Sequence, residues 1–149
     1  MKKIRTTNPL FIIFLLPIIV DVVGTVTGQR TEYWNSNFQS IDEAAPVFFL
    51  LQMHPLLFII VCLAIWLPFT NWLTKKLKEP YNLWATMALF AGHAYNSVNW
   101  LRVTQRNWGI WAGPDRVSIT LSLIPMALYI LLIGYIAAKG IKQYLDSRD

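Results

Sequence analysis

The chain has 149 residues, of which 55% are hydrophobic and only 14% are charged. Its mean hydropathy is +0.42, a balance outside that of soluble domains, so the composition predicts an all-α polytopic membrane protein. The net charge of +5 does not indicate a nucleic-acid partner, because Lys and Arg gather at the ends of apolar segments, where they set topology and contact lipid headgroups. The single cysteine, Cys62, excludes an intrachain disulfide.

The first apolar segment follows a short basic head and covers residues 9–29. A basic head before an apolar run is also typical of a signal peptide. The run is long, however, and the residues after Gly24 show no small-x-small cleavage site, so we predict a first membrane span. Asp21 is the one acidic residue well inside any predicted span, and it lies one helical turn before Thr25.

The second apolar segment, residues 46–73, follows a polar loop that carries Glu43. One straight helix of this length would be about 42 Å long, against a hydrocarbon core of about 30 Å. Pro55 lacks an amide donor and predicts a bend next to His54 and Gln52. The segment is therefore either one tilted, kinked span, or an interfacial turn over residues 46–53 that leads into a span from about Pro55.

The third and fourth predicted spans cover residues 81–101 and 117–138, with an aromatic loop between them. The third span carries a polar stripe, because His93, Asn96 and Trp100 follow at helical spacing with Asn99 beside them. Hydrocarbon cannot satisfy such hydrogen-bonding groups, so the stripe is expected to face protein or a water-filled cavity.

The distribution of basic residues predicts the orientation of these four spans. Of the 13 Lys and Arg residues, nine lie on the side of the termini and four on the opposite side. The positive-inside rule then places both termini in the cytoplasm, in a single four-helix transmembrane bundle over residues 1–149 of a prokaryotic inner membrane. The nine are Lys2, Lys3, Arg5, Lys75, Lys76, Lys78, Lys139, Lys142 and Arg148; the four are Arg30, Arg102, Arg106 and Arg116.

This topology places three polar side chains at one depth. Asp21, His54 and His93 each lie eight residues from the outer end of their predicted span, which is about 12 Å at about 1.5 Å per residue. One carboxylate and two imidazoles form a ligand set that suits zinc or iron, with Asp21 or Glu43 alternatively orienting a histidine. We therefore predict an outer-leaflet metal pocket lined by Thr25, Gln52, Asn96 and Asn99 as well.

Other interpretations use the same residues. Asp21 hydrogen-bonded to His93 can serve simply as interhelical glue. The two histidines can instead be axial ligands of a b-type haem, although an acidic group beside an apolar porphyrin disfavours that reading. A proton path is disfavoured by the few relay residues in the inner half, and a Ser97–His93 nucleophile by the lack of an elbow motif.

Several motifs in the first third of the chain resemble a family of small uncharacterised prokaryotic membrane proteins. They are Asp21-x-x-x-Thr25, Gly28-Gln29, Tyr33-Trp34, Glu43-x-x-Pro46 and His54-Pro55; the family has Asp-x-x-x-Thr in its first span and Glu-x-Asn-Pro before its second. Ala45 stands where the family has Asn. The family brings no known activity and implies only that Asp21, Thr25 and Glu43 form one unit. A weaker architectural similarity is to EXPERA proteins and implies a lipid-like ligand.

The sequence thus favours a divalent-metal pocket that acts on a lipid-like or small substrate, with Glu43 as the catalytic base. The alternative is a non-catalytic accessory or assembly subunit, whose polar side chains hold helices together and whose aromatic loops dock a membrane-protein partner or a second copy. Membrane lipids are expected partners under either hypothesis.

Overall fold

The computed structural model describes residues 8–43, 46–111 and 113–147. All the regular secondary structure in these ranges is helical, which confirms the all-α prediction. The helices are α1 (Pro9–Thr27), α2 (Thr31–Asn35), α3 (Phe48–Met53), α4 (Pro55–Lys76), α5 (Tyr81–Asn107) and α6 (Arg116–Leu145).

Three of the described helices, α1, α4 and α6, are long and apolar enough to cross a membrane. The fourth long helix, α5, has 27 residues, or about 40 Å at about 1.5 Å per residue. It is less apolar because it carries the polar stripe. The chain is therefore a helical protein with the composition of a membrane protein, and α5 is the helix whose placement needs a further argument.

Helix α1 lies at the centre of the packing. It contacts α5 most extensively and also packs against α4 and α6. Its most apolar stretch is 56% buried by protein, against 17% for that of α4 and 11% for that of α6. Only α1 is largely shielded from lipid, so the other three long helices are arranged around it.

The apolar segment predicted over residues 46–73 is two helices, so its treatment as one span is corrected. Helix α3 ends at Met53, and α4 begins at Pro55. His54 between them is extended, with φ −172° and ψ 135°. A residue before proline avoids the helical region, and proline suits the first position of a helix, where no amide donor is needed. The break at His54 agrees with the second alternative, in which the span starts from about Pro55.

Two of the long helices extend beyond the spans predicted for them. Helix α5 continues six residues past the predicted end of its span, to Asn107, and α6 continues from 138 to Leu145. Both extensions are polar, and a helix continues into water without difficulty when its residues have ordinary helix propensity. The loop between these two helices is correspondingly shorter than the predicted residues 102–116.

Polar side chains join the helices at the end that holds the start of α1. Asn8 donates from Nδ2 to Thr74 Oγ1 over 2.7 Å, which ties α1 to the end of α4. Asn82 donates to the Tyr144 hydroxyl over 2.7 Å, and that hydroxyl donates to Glu79. These bonds link the start of α5 to the end of α6, so this end of the bundle is closed.

Glycines allow α1 and α5 to approach closely at the other end. A Cβ added at Gly24 would lie 2.8 Å from Trp100 Cβ, and one added at Gly28 would lie 2.5 Å from Trp100 Cε3. Gly24-x-x-x-Gly28 is thus a small-x-x-x-small motif that receives an indole from the neighbouring helix. Trp100 is held against α1, one to two turns beyond His93 in the polar stripe.

Gly28→Ala should destabilise the bundle by about 1–3 kcal/mol, because the added methyl overpacks the Trp100 contact. Thermal unfolding in detergent measures the effect. Gly92→Ala is the matched control, since a Cβ there has no neighbouring heavy atom within 4 Å, and it should leave stability unchanged or slightly raised. Equal shifts for the two variants would contradict the close packing at Gly28.

Candidate functional site

An aspartate and a histidine meet at the α1–α5 interface. His93 Nδ1 lies 2.8 Å from Asp21 Oδ2, and each side chain is only 12% exposed. When the Asp21 carboxylate accepts this hydrogen bond, Nδ1 is the donor. In a neutral imidazole of that tautomer, Nε2 is the acceptor nitrogen.

The pair opens into a cavity of about 310 Å³. Two amides from α5 and a carboxylate from the loop before α3 line it with the pair, so polar groups converge here from three parts of the chain. Aromatic walls close two sides. The lining consists of Asp21, Val22, Thr25, Glu43, Trp66, His93, Asn96, Asn99 and Trp100.

The imidazole is also fixed from the side of α4. The rings of His93 and Trp66 meet edge to face, with centroids 5.2 Å apart and an interplanar angle of 84°. Such a contact is favourable beyond the area that it buries. His93 is therefore held by Asp21 on one helix and by Trp66 on another, which leaves its ring little freedom to turn.

A chain of hydrogen bonds connects α1 to the loop that carries Glu43. Thr25 Oγ1 donates to the Asp21 carbonyl over 2.8 Å, and Gln29 Nε2 donates to the Thr25 carbonyl over 2.8 Å. Gln29 Oε1 in turn accepts from the Asp42 amide over 2.9 Å. Gln29 is 2% exposed, so this buried amide places the residue before Glu43 at the cavity.

The two asparagines of the polar stripe line the cavity, and their side-chain amides have no hydrogen-bond partner elsewhere in the described chain. Within the described chain, neither the Asn96 nor the Asn99 side chain makes a hydrogen bond, and both residues are exposed. Their amides can therefore form hydrogen bonds with water or a polar ligand in the cavity.

His54 is not brought to this site. It forms the N-cap of α4, where its Nδ1 accepts from the Leu56 amide over 3.2 Å, and its ring contacts that of Phe38 at 5.5 Å. Trp66, which does reach His93, lies 12 residues further along α4, or about 18 Å at about 1.5 Å per residue. The structure does not group His54 with Asp21 and His93 as the predicted common depth would, because α4 begins at Pro55 and His54 is its N-cap.

Gln52 also lies away from the cavity, half-buried on α3. Its neighbourhood is a separate aromatic cluster, in which Tyr33 is fully buried and donates from its hydroxyl to the Leu51 carbonyl over 2.9 Å. Burial raises the pKa of the Tyr33 phenol, which keeps this donor protonated. The loop thus folds back onto α3 by its aromatic side chains.

The separation of His54 bears directly on metal and haem chemistry. Among the described residues, no three His, Cys, Asp or Glu side chains are grouped closely enough to hold a metal ion. The Asp21–His93 pair offers one free ring nitrogen, and Glu43 lines the same cavity without completing such a group. Trp66, the α4 residue whose ring contacts His93, lies about 18 Å along α4 from His54 at about 1.5 Å per residue, a separation that does not favour a haem between the two histidines.

Four residues that shape the site were not predicted to belong to it. Gly24 and Gly28 set the helix separation, and their four-residue spacing is a signal that the sequence does carry. Trp66 was recognisable as an aromatic residue far from either end of its span. Gln29 gave no such signal, because its role depends on where the following loop returns.

Comparison with known proteins gives no relative. No protein-family model matches the chain, and neither a curated protein nor a solved structure is significantly similar to it. The likenesses to the small prokaryotic family and to EXPERA proteins therefore stay expectations, and the function has to be argued from the site.

A double-mutant cycle should detect the Asp21–His93 interaction. Asp21→Ala and His93→Ala should each lower the free energy of unfolding, because either change leaves the partner's polar atom without its hydrogen bond. The loss in the double variant should be smaller than the sum of the two single losses. The coupling is expected within about 0.6–1.7 kcal/mol, the range for interhelical hydrogen bonds in membranes. Chemical unfolding in detergent measures it.

The Ser97–Tyr129 bond between α5 and α6, 2.8 Å long, is the matched control for that cycle. Ser97→Ala and Tyr129→Phe should couple more weakly, since both partners are neutral. Additive effects of the Asp21 and His93 changes would contradict the contact.

Proposed function

We propose that the chain is a four-span protein of a prokaryotic inner membrane with both termini in the cytoplasm. The length of α5 supports a fourth span, since about 40 Å exceeds a hydrocarbon core of about 30 Å. In addition, the polar residues of α5 face protein or the cavity. His93 pairs with α1, and Ser97 bonds Tyr129 of α6.

In this arrangement the cavity around Asp21 and His93 lies in the outer half of the membrane and receives a small or lipid-like molecule. The observation that carries the proposal is the 2.8 Å contact between His93 Nδ1 and Asp21 Oδ2 inside a polar cavity. A carboxylate that fixes one imidazole nitrogen prepares the other as a general base. Asp21 is the positioning residue, and His93 is the group that meets the substrate.

The proposed step is a proton transfer. His93 Nε2 takes a proton from a polar group of the substrate, so that an N–H bond forms while the electron pair of the broken bond stays on the substrate. Asp21 stabilises the resulting imidazolium by a charge-assisted hydrogen bond. Glu43 supplies a second acid–base group in the same cavity, and Asn96 and Asn99 orient the substrate through their amides.

A divalent metal is the less favoured use of this pocket. Zinc-binding histidines are commonly oriented by a carboxylate as His93 is, but the cavity offers a zinc or iron ion too few grouped protein ligands. The hydrogen bond between Asp21 and His93 also supports the accessory-subunit alternative. The pair lies beside the Gly24–Trp100 packing, so its hydrogen bond also suits a purely structural role.

Diethyl pyrocarbonate, which modifies accessible unprotonated imidazoles, tests the proposal in the His54→Gln variant, where His93 is the sole histidine. We expect His93 to be carbethoxylated in the folded protein, as read by mass spectrometry. Asn96→Phe should fill the cavity and slow the modification at least tenfold. Ala91→Phe adds the same bulk to α5 outside the cavity lining and should leave the rate unchanged.

Two other results would each indicate a different function. A folded protein with unreactive His93 would overturn the general-base proposal and favour a structural pair in an accessory subunit. Stoichiometric zinc or iron in purified protein, lost in His93→Ala, would replace acid–base chemistry by metal chemistry at the same residue.

A further inference from the structure

A second cavity lies between α5 and α6 and shares Asn99 with the lining of the cavity at the Asp21–His93 pair. Its volume is about 640 Å³, within the range of about 300–1,000 Å³ that is usual for ligand pockets. The walls are mostly apolar and include Phe90 and Val98 of α5 with Leu123, Met126 and Ile130 of α6. The cavity is open along one side, so it is a groove that faces the surrounding lipid.

A polar cavity of about 370 Å³ continues the groove at the end nearest the start of α6. The two share Asn99 and Arg102 in their linings, and the polar one adds Arg106, one helical turn further along α5. The combined surface is therefore amphipathic, with a hydrocarbon-like groove that ends at two guanidinium groups.

These two arginines are not neutralised by the protein. The ion pairs within 4.0 Å found among the described residues join Arg30 to Asp42, His93 to Asp21 and Lys142 to Asp146. Neither Arg102 nor Arg106 takes part in one. Guanidinium groups match phosphate oxygens in geometry as well as charge, so this end of the groove is complementary to a phosphate.

The length of the groove suits one membrane leaflet. From Leu123 to Gly134 its α6 wall covers 12 residues, and the rise between these two residues is about 16 Å at about 1.5 Å per step. Half of a hydrocarbon core of about 30 Å is about 15 Å. An acyl chain that starts at the arginines would thus end near Gly134, close to the middle of the bilayer.

We propose that this groove is a binding site for one anionic phospholipid, with an acyl chain between α5 and α6 and the phosphate held by Arg102 and Arg106. Charge complementarity at one end and an apolar wall of one leaflet's length favour this occupant over a second copy of the chain. A packed helix from a second copy would cover the groove without neutralising the arginines. The site does not depend on His93 acting as a base.

Native mass spectrometry of the purified full chain tests the site, with phosphatidylglycerol added in detergent and phosphatidylcholine as the uncharged-headgroup comparison. We expect one tightly retained phosphatidylglycerol, preferred at least tenfold. The Arg102→Gln/Arg106→Gln variant should weaken retention at least tenfold, whereas Arg116→Gln, an exposed arginine outside both linings, should not.

A second pair of variants tests whether an acyl chain lies in the groove. The leucine side chain of Gly134→Leu projects into the groove and should also weaken phosphatidylglycerol retention at least tenfold. Gly92→Leu is the control, since a Cβ added at either glycine meets no neighbouring heavy atom within 4 Å and Gly92 is outside the groove lining.

Three results would overturn the proposal. Equal retention of phosphatidylcholine and phosphatidylglycerol would remove the role of the arginines. Inorganic phosphate that competes at the same concentration as the lipid would make this a phosphate site without a lipid chain. A change of oligomeric state in Gly134→Leu, with lipid retention intact, would identify the groove as an interface between copies.

Discussion

The hydrogen bond between Asp21 and His93 is the interaction on which the rest of the structure depends. Asp21 lies on a mostly apolar helix and His93 in the polar stripe of α5, and each is the other's side-chain hydrogen-bond partner across the interface. The contact therefore fixes the rotation of α1 and α5 about their axes and their relative height. Gly24 and Gly28 then permit the helices to approach, and Trp100 fills the space that the glycines leave.

The remaining elements complete the surroundings of this pair. Helix α4 brings Trp66 against the imidazole, while the Gln29 side chain holds the loop that carries Glu43 at the cavity. At the opposite end, Asn8 and Tyr144 join helix ends that have no part in the site. One end of the bundle is thus tied by polar contacts and the other is arranged around a cavity, which is the division expected of a protein that binds something from one side.

Much of this arrangement could be predicted from sequence, and the failures have physical causes. Apolar runs of membrane length and the polar stripe of α5 indicated helices and the face that needs a partner. Asp21 was identifiable because an acid inside a span is costly. His54 was misplaced since the depth estimate assumed a continuous span, whereas Pro55 starts a new helix. Trp66 and Gln29 act through tertiary contacts, and no local pattern reports which neighbour a side chain meets.

The central claim is that Asp21 holds His93 with a proton on Nδ1 and leaves Nε2 free for chemistry. Nitrogen NMR of histidine-labelled protein in the His54→Gln background measures this directly, because His93 is then the only histidine. The account predicts a protonated Nδ1 and an unprotonated Nε2 in the folded protein, and loss of that preference in Asp21→Leu. A proton found on Nε2 instead, unchanged by Asp21→Leu, would contradict it.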